Sequence, residues 1–146
     1  MKELRLGLAG LGHGETLIQA NRPEHEDIPI KVTALCDTDP ERLRAAGDQH
    51  GIQNLTTSFS ELIARDDIDI VGIYTPGPLH AAQVLQALDA GKHVMMTKAM
   101  AYTMQEAESL VEAVDRTGLV LLITQTLRGR YRSEERRVGK ECRSRW

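Results

Sequence analysis

Apolar and polar positions alternate at the start of the chain, with Leu4, Leu6 and Leu8 on one side of a run that breaks at Gly10, Gly12 and Gly14. A run so short and regular predicts a strand. Residues 15–21 predict a short helix after the glycines, with Thr16, Leu17, Ile18 and Ala20 able to turn inward, and residues 22–27 form a polar break. The second strand is expected at residues 30–36, with Val32, Ala34 and Cys36 on one face and Lys31, Thr33 and Leu35 on the other. Asp39 and Pro40 suit a helix start, a capping side chain followed by a residue that needs no N–H, and Gly51 closes a helix that runs to about Gln49.

Residues 55–57 read as a short third strand, and Ser58 with Glu61 has the spacing of a capping box for a brief helix ending near Arg65. Residues 68–74 are almost continuously apolar, the pattern of a strand buried on both faces, and Thr75-Pro76-Gly77-Pro78 stops them. A helix at 79–90 ended by Gly91, a strand at 92–96, a helix from Thr103 and Glu106 to about Thr117, and a strand at 119–124 complete the series. Strands and helices thus alternate with short connections, which predicts an α/β fold: a parallel sheet covered on both faces. Right-handed crossovers favour the doubly wound Rossmann order 3-2-1-4-5-6.

The chain has 146 residues, 41% hydrophobic and 27% charged, enough for one domain with a full core. No apolar run reaches the length of a membrane span, and Lys2, Glu3 and Arg5 break up the start where a signal peptide would be apolar. A cytoplasmic protein is expected. Residues 132–146 back-translate without mismatch onto a short-read sequencing adapter, so they are expected to be a non-native tail behind a domain at 1–131. The tail holds 6 Lys/Arg against 3 Asp/Glu, so the 18 and 21 of the whole chain leave 12 basic and 18 acidic residues in the body, a formal net of −6. Such a body gives no support for a nucleic-acid or anionic-membrane partner. Cys36 remains as the body's lone cysteine, inside an apolar strand, which indicates a buried thiol and neither a disulfide nor a metal site.

The glycines fall where the first strand meets the first helix. There they permit a tight turn and let backbone N–H groups approach a pyrophosphate at a helix start. The dinucleotide fingerprint G-x-G-x-x-G is incomplete, because Glu15 stands where a third small residue belongs. A glycine-rich connection without ligand, or the G-x-G-x-G turn of methyltransferases that bind adenosylmethionine, fits the motif alone equally well. His13 sits in the same turn, either touching a phosphate or simply facing solvent. Asp37 ends the second strand, where a carboxylate can accept hydrogen bonds from both ribose hydroxyls and repel a 2′-phosphate, favouring NAD over NADP. The competing role is a turn aspartate that caps a helix, but Asp39 already supplies that cap. Arg42 could lie over an adenine or offset a 2′-phosphate.

Gly10-Leu11-Gly12, Cys36-Asp37-Thr38-Asp39-Pro40-Glu41-Arg42, Tyr74-Thr75-Pro76 followed by His80, Ala90-Gly91-Lys92-His93-Val94 and Thr97-Lys98 occur in order. Together they resemble the N-terminal domain of the glucose-fructose oxidoreductase, inositol dehydrogenase and MocA family, over residues 2–131. The resemblance implies NAD(P)-dependent hydride transfer at a hydroxyl-bearing carbon of a small-molecule substrate, a sugar, polyol or related compound. It implies Gly10, Gly12, His13 and Gly14 at the pyrophosphate, Asp37 and Thr38 at the ribose, and Arg42 close by. Thr75, Pro76 and His80 would stand on the nicotinamide side, with Lys98 as both cofactor contact and catalytic residue. Thr97 and Ala99 replace the Glu and Pro that flank this lysine in the family. Family members continue into a second, substrate-binding domain that makes the oligomer, so this chain is expected to be a truncated, inactive piece of a homo-oligomeric enzyme. The alternative is a non-catalytic NAD-binding sensor or scaffold.

Overall fold

The computed structural model describes residues 3–25 and 27–125, so the expected tail at 132–146 lies outside the described residues. Six strands, β1 (Leu4–Ala9), β2 (Ile30–Cys36), β3 (Asn54–Thr56), β4 (Ile70–Ile73), β5 (His93–Thr97) and β6 (Leu121–Thr124), pair in parallel. Their order is β3-β2-β1-β4-β5-β6, the doubly wound Rossmann arrangement that the alternation of elements predicts. Parallel neighbours need crossovers, and the helices α1 (Leu11–Gly14), α2 (Pro40–His50), α3 (Phe59–Ile63), α4 (His80–Asp89) and α5 (Met104–Thr117) lie in them.

Each sheet face has its own core. Val71, Ile73, Val94 and Met96 pack against Leu62 of α3, Val84 and Leu88 of α4, and Leu110 and Ala113 of α5. On the opposite face Leu6, Leu8, Val32 and Leu35 pack against Leu11 of α1, Ile18, and Leu43 and Ala46 of α2. Each such Leu, Ile or Val contributes about 1.5–3 kcal/mol by leaving water. β6 closes one edge of the sheet: Leu121 and Ile123 turn into the first core, while Leu122 is 50% and Val120 60% exposed.

The predicted caps hold at α2 and α5. Asp39 accepts the N–H groups of Glu41 and Arg42 at 3.0 and 3.1 Å, and Thr103 and Glu106 form a reciprocal box. At α3 the box is only half made, because the Glu61 carboxylate accepts the Thr56 hydroxyl instead of returning to Ser58. The faces of β2 also differ from strict alternation. Leu6 pairs with Val32 but Gly7 pairs with Ala34, so Thr33 is an extra residue that bulges the strand. Val32 therefore shares a core with Leu35, and Ala34 and Cys36 face the other way. The first helix starts at Leu11, earlier than expected, and residues Glu15–Asn21 continue as a 3-10 helix. Two glycines weaken α geometry there, and the far end is clipped to β2 by the Asn21 amide, which bonds both the N–H and the C=O of Val32 at 2.8 Å.

Candidate functional site

β1 and β4 are neighbours where the strand order reverses, so the loops leaving their ends diverge to opposite faces and open a cleft. The cleft holds about 400 Å³. Gly10, Gly12 and His13 line it from the turn after β1, Cys36, Asp37, Thr38 and Arg42 from the end of β2 and the start of α2, and Tyr74, Thr75, Pro76, Leu79 and Gln83 from beyond β4.

The turn is tight because it lies against the end of β4. Gly10 has φ +87°, its N–H donates to the Cys36 carbonyl at 2.9 Å, and a Cβ there would stand 2.6 Å from the Tyr74 carbonyl group. No other residue fits both conditions. Gly14 is buried beneath the cleft, where a Cβ would come within 2.9 Å of Tyr74 Cβ and 3.1 Å of Leu8 Cδ1. Gly14 thus performs the close helix-to-strand packing expected of a third small residue one position later. That frees Glu15 to turn outward, where its carboxylate lies 3.2 Å from His50 Nε2. Gly12 is different again: a Cβ on it would meet nothing within 4 Å, so the space above it is open to a ligand.

Asp37 is only 6% exposed and its carboxylate points at this turn. Oδ2 accepts the Leu11 N–H at 2.8 Å, Oδ1 accepts the Asp39 N–H at 2.9 Å, and Arg42 Nη1 donates to both oxygens at 3.2 and 3.3 Å. Burial pushes the carboxyl's pKa up, but the N–H groups of Asp39 and Leu11 and the Arg42 charge outweigh it and hold the group below the usual carboxylate range. A carboxylate offers about four lone-pair positions. Two are taken by backbone, and the others face the guanidinium of Arg42, a half-exposed side chain that also pairs with Asp39. Beneath it, burial and then the negative charges of Asp37 and Glu61 push the Cys36 thiol up to about 11, so the thiol is neutral.

On the other side of the cleft the Thr75 hydroxyl donates to Gln83 Oε1. His80 is 1% exposed and does not reach the cleft lining; Nε2 lies 2.8 Å from the Thr75 carbonyl oxygen and Nδ1 2.8 Å from that of Ala99. Lys98 follows β5, is exposed, and also stands outside the lining. Of the residues singled out from sequence, the cleft therefore gathers Gly10, Gly12, His13, Asp37, Thr38, Arg42, Thr75 and Pro76, but not Gly14, His80 or Lys98. Thr57, Phe59 and Gln83 were not foreseen. Phe59 opens α3 beside the Ser58 cap, and Gln83 lies one helical turn beyond Leu79, so both carried a faint positional signal. Among the described residues no three His, Cys, Asp or Glu side chains converge as a metal site, and no helix is long and apolar enough to cross a membrane.

A family profile described as "Oxidoreductase family, NAD-binding Rossmann fold" matches residues 4–125. The chain is 36% identical over 98 residues to D-apiose dehydrogenase of Paraburkholderia graminis, covering 67% of this chain and 26% of that protein. It is 37% identical over 98 residues to 1,5-anhydro-D-fructose reductase of Ensifer adhaerens, covering 67% and 29%. Among solved structures it is similar to scyllo-inositol dehydrogenase from Lactobacillus casei with bound NAD(H) and scyllo-inositol, at TM-score 0.79 and 25% identity over 95% of this chain and 42% of that one. The WlbA dehydrogenase from Bordetella pertussis in complex with NADH and UDP-GlcNAcA matches at TM-score 0.75 and 30% identity over 84% and 35%. The chain spans only about a quarter of the length of these two curated relatives.

Proposed function

The chain belongs to the glucose-fructose oxidoreductase, inositol dehydrogenase and MocA family of NAD-binding Rossmann-fold oxidoreductases, and on that premise we propose that it is the cofactor-binding part of an NAD-dependent dehydrogenase acting on a sugar or polyol. One observation carries the reading: a buried carboxylate at the end of β2 is hydrogen-bonded to the amide of the glycine turn after β1, so a ribose grip and a phosphate cradle share one cleft.

In this reading the pyrophosphate lies over Gly12, where the backbone leaves room, with Gly10, His13 and Gly14 shaping the turn. Asp37 accepts the ribose hydroxyls at the positions Arg42 now fills, beside Thr38, and Arg42 swings toward the adenine. A 2′-phosphate would meet the charge of a carboxylate held ionised, so NAD is preferred over NADP. When bound, the nicotinamide supplies the hydride donor or acceptor. Thr75 and Pro76 border its place in the cleft, and Lys98 lies just beyond β5. An ammonium there stabilises negative charge developing on the substrate oxygen and moves its proton. The substrate class rests on relatives named for D-apiose, 1,5-anhydro-D-fructose and scyllo-inositol. The longer protein would add a substrate domain, form the oligomer and work in the cytoplasm, a setting in keeping with the free, buried thiol of Cys36.

Calorimetric titration of the 146-residue chain tests the reading. NAD⁺ is expected to bind, NADP⁺ more weakly and adenosylmethionine not at all, with no turnover of sugars or polyols. Failure to bind NAD⁺ would overturn the cofactor assignment, and dehydrogenase activity would overturn the assignment of the chain as an inactive part. A second reading, a non-catalytic NAD sensor or scaffold, draws on the exposed position of Lys98 outside the cleft lining. Activity of the longer protein that disappears on Lys98→Met would exclude it.

A further inference from the structure

His80 opens α4, yet its ring turns back into the protein between two loops. One loop leaves β4 and carries Thr75 and Pro76 along the cleft, and the other leaves β5 and carries Lys98 and Ala99. The ring's nitrogens lie 2.8 Å from one backbone carbonyl oxygen in each. A carbonyl oxygen only accepts, so the ring bonds through whichever nitrogen carries a proton, one in a neutral imidazole and both in an imidazolium, and either way it stands wedged between one carbonyl of each loop. The same loops also meet at the surface. A Cβ on Gly77 would stand 3.0 Å from Cε2 and Cζ of Tyr102, so the tyrosine lies across the glycine's backbone.

We propose that His80 is a positioning residue that ties the loop after β4 to the loop after β5, and so fixes how far Lys98 stands from the nicotinamide end of the cleft. Tyr102 over Gly77 is the outer, weaker tie. The proposal rests on the reading of the cleft as an NAD site with Lys98 at its reacting end. It gives His80 a different task from contact with the cofactor, since the ring is committed to backbone on both sides and absent from the cleft lining.

ADP-ribose, which lacks the nicotinamide, separates the two ends of the site. The experiment compares NAD⁺ and ADP-ribose affinities of the 146-residue chain, His80→Gln and Tyr102→Ala, and follows the NMR signal of ¹³C-methylated Lys98, identified with Lys98→Arg. In the native chain NAD⁺ should shift the Lys98 signal and ADP-ribose should not. In His80→Gln the NAD⁺ affinity should fall about tenfold while that for ADP-ribose stays within about twofold, and the Lys98 response should vanish. Tyr102→Ala, on an exposed side chain, should show the same selective loss at about threefold, and decides the matter if the buried substitution does not fold. A parallel fall for both ligands, an unchanged NAD⁺ affinity, or a Lys98 signal that still responds in His80→Gln would overturn the positioning role. If the native chain bound neither ligand, the NAD reading itself would fail, a result distinct from any of these.

Discussion

The half of the sheet built from β1 to β3 and the half built from β4 to β6 each bury one polar side chain at the ligand end, and the two have opposite chemistry. Among the described residues, Asp37 and His80 are the buried polar or charged side chains. Asp37 is an acceptor that gathers two backbone N–H groups, from the turn after β1 and the loop after β2. His80 faces two backbone carbonyls, from the loops after β4 and β5. Each half therefore places one buried side chain between two strand ends, a carboxylate between N–H groups in one and an imidazole between carbonyls in the other. The difference lies in what is left over: Asp37 keeps positions that a ligand can claim, and His80 has none to spare.

The largest expected effect breaks the Asp37 side of the comparison. Asp37→Ala should weaken NAD⁺ and ADP-ribose together by about 100-fold, roughly 3 kcal/mol for charge-assisted bonds to two hydroxyls. Equal titration curves for native and variant chains would remove the ribose grip. The glycines should separate binding from folding. Gly10→Ala, with its positive φ and its clash against Tyr74, should cost about 2–4 kcal/mol in a denaturant melt. Gly12→Ala should leave the melt within about 0.5 kcal/mol yet abolish nucleotide binding, because its methyl meets no protein atom within 4 Å and enters the space proposed for the pyrophosphate.

Acid should act more gently. The native Asp37 carboxyl lies below its unfolded value, so its contribution to stability is complete above the ordinary carboxylate pKa and is lost as pH falls through that value toward the lower native one. Denaturation midpoints of the native chain and Asp37→Asn, compared at pH 7 and pH 3, should converge on the acid side. A gap that widens in acid would contradict the clamp. The smallest effect concerns Cys36. With the thiol pushed up to about 11, alkylation in a Cys142→Ser background should be slow at neutral pH, accelerate in alkali and slow further with NAD⁺, whose binding covers the cleft that Cys36 lines.

Much of this was legible in the residues themselves. Alternating apolar runs, Asp39-Pro40, the Thr103 and Glu106 pair and the glycine turn located strands, helix starts and the cleft, since each depends on neighbours within a few positions. What escaped depends on distant contacts. Thr33 bulges because β1 sets its register, and that alone turns Val32 away from Ala34 and Cys36. Gly14 is required by Tyr74, sixty residues on. His80 resembled a cofactor contact in sequence, but its partners, Thr75 and Ala99, are joined only once β4 and β5 lie side by side.

The outer border of β6 has a consequence for anyone handling this chain. Along that side no further strand pairs among the described residues, and Leu122 and Val120 are exposed there. Such a margin invites one molecule to zip onto the next. Concentrated solutions should therefore cloud sooner than a formal charge of −3 suggests, and Leu122→Lys should keep them clear.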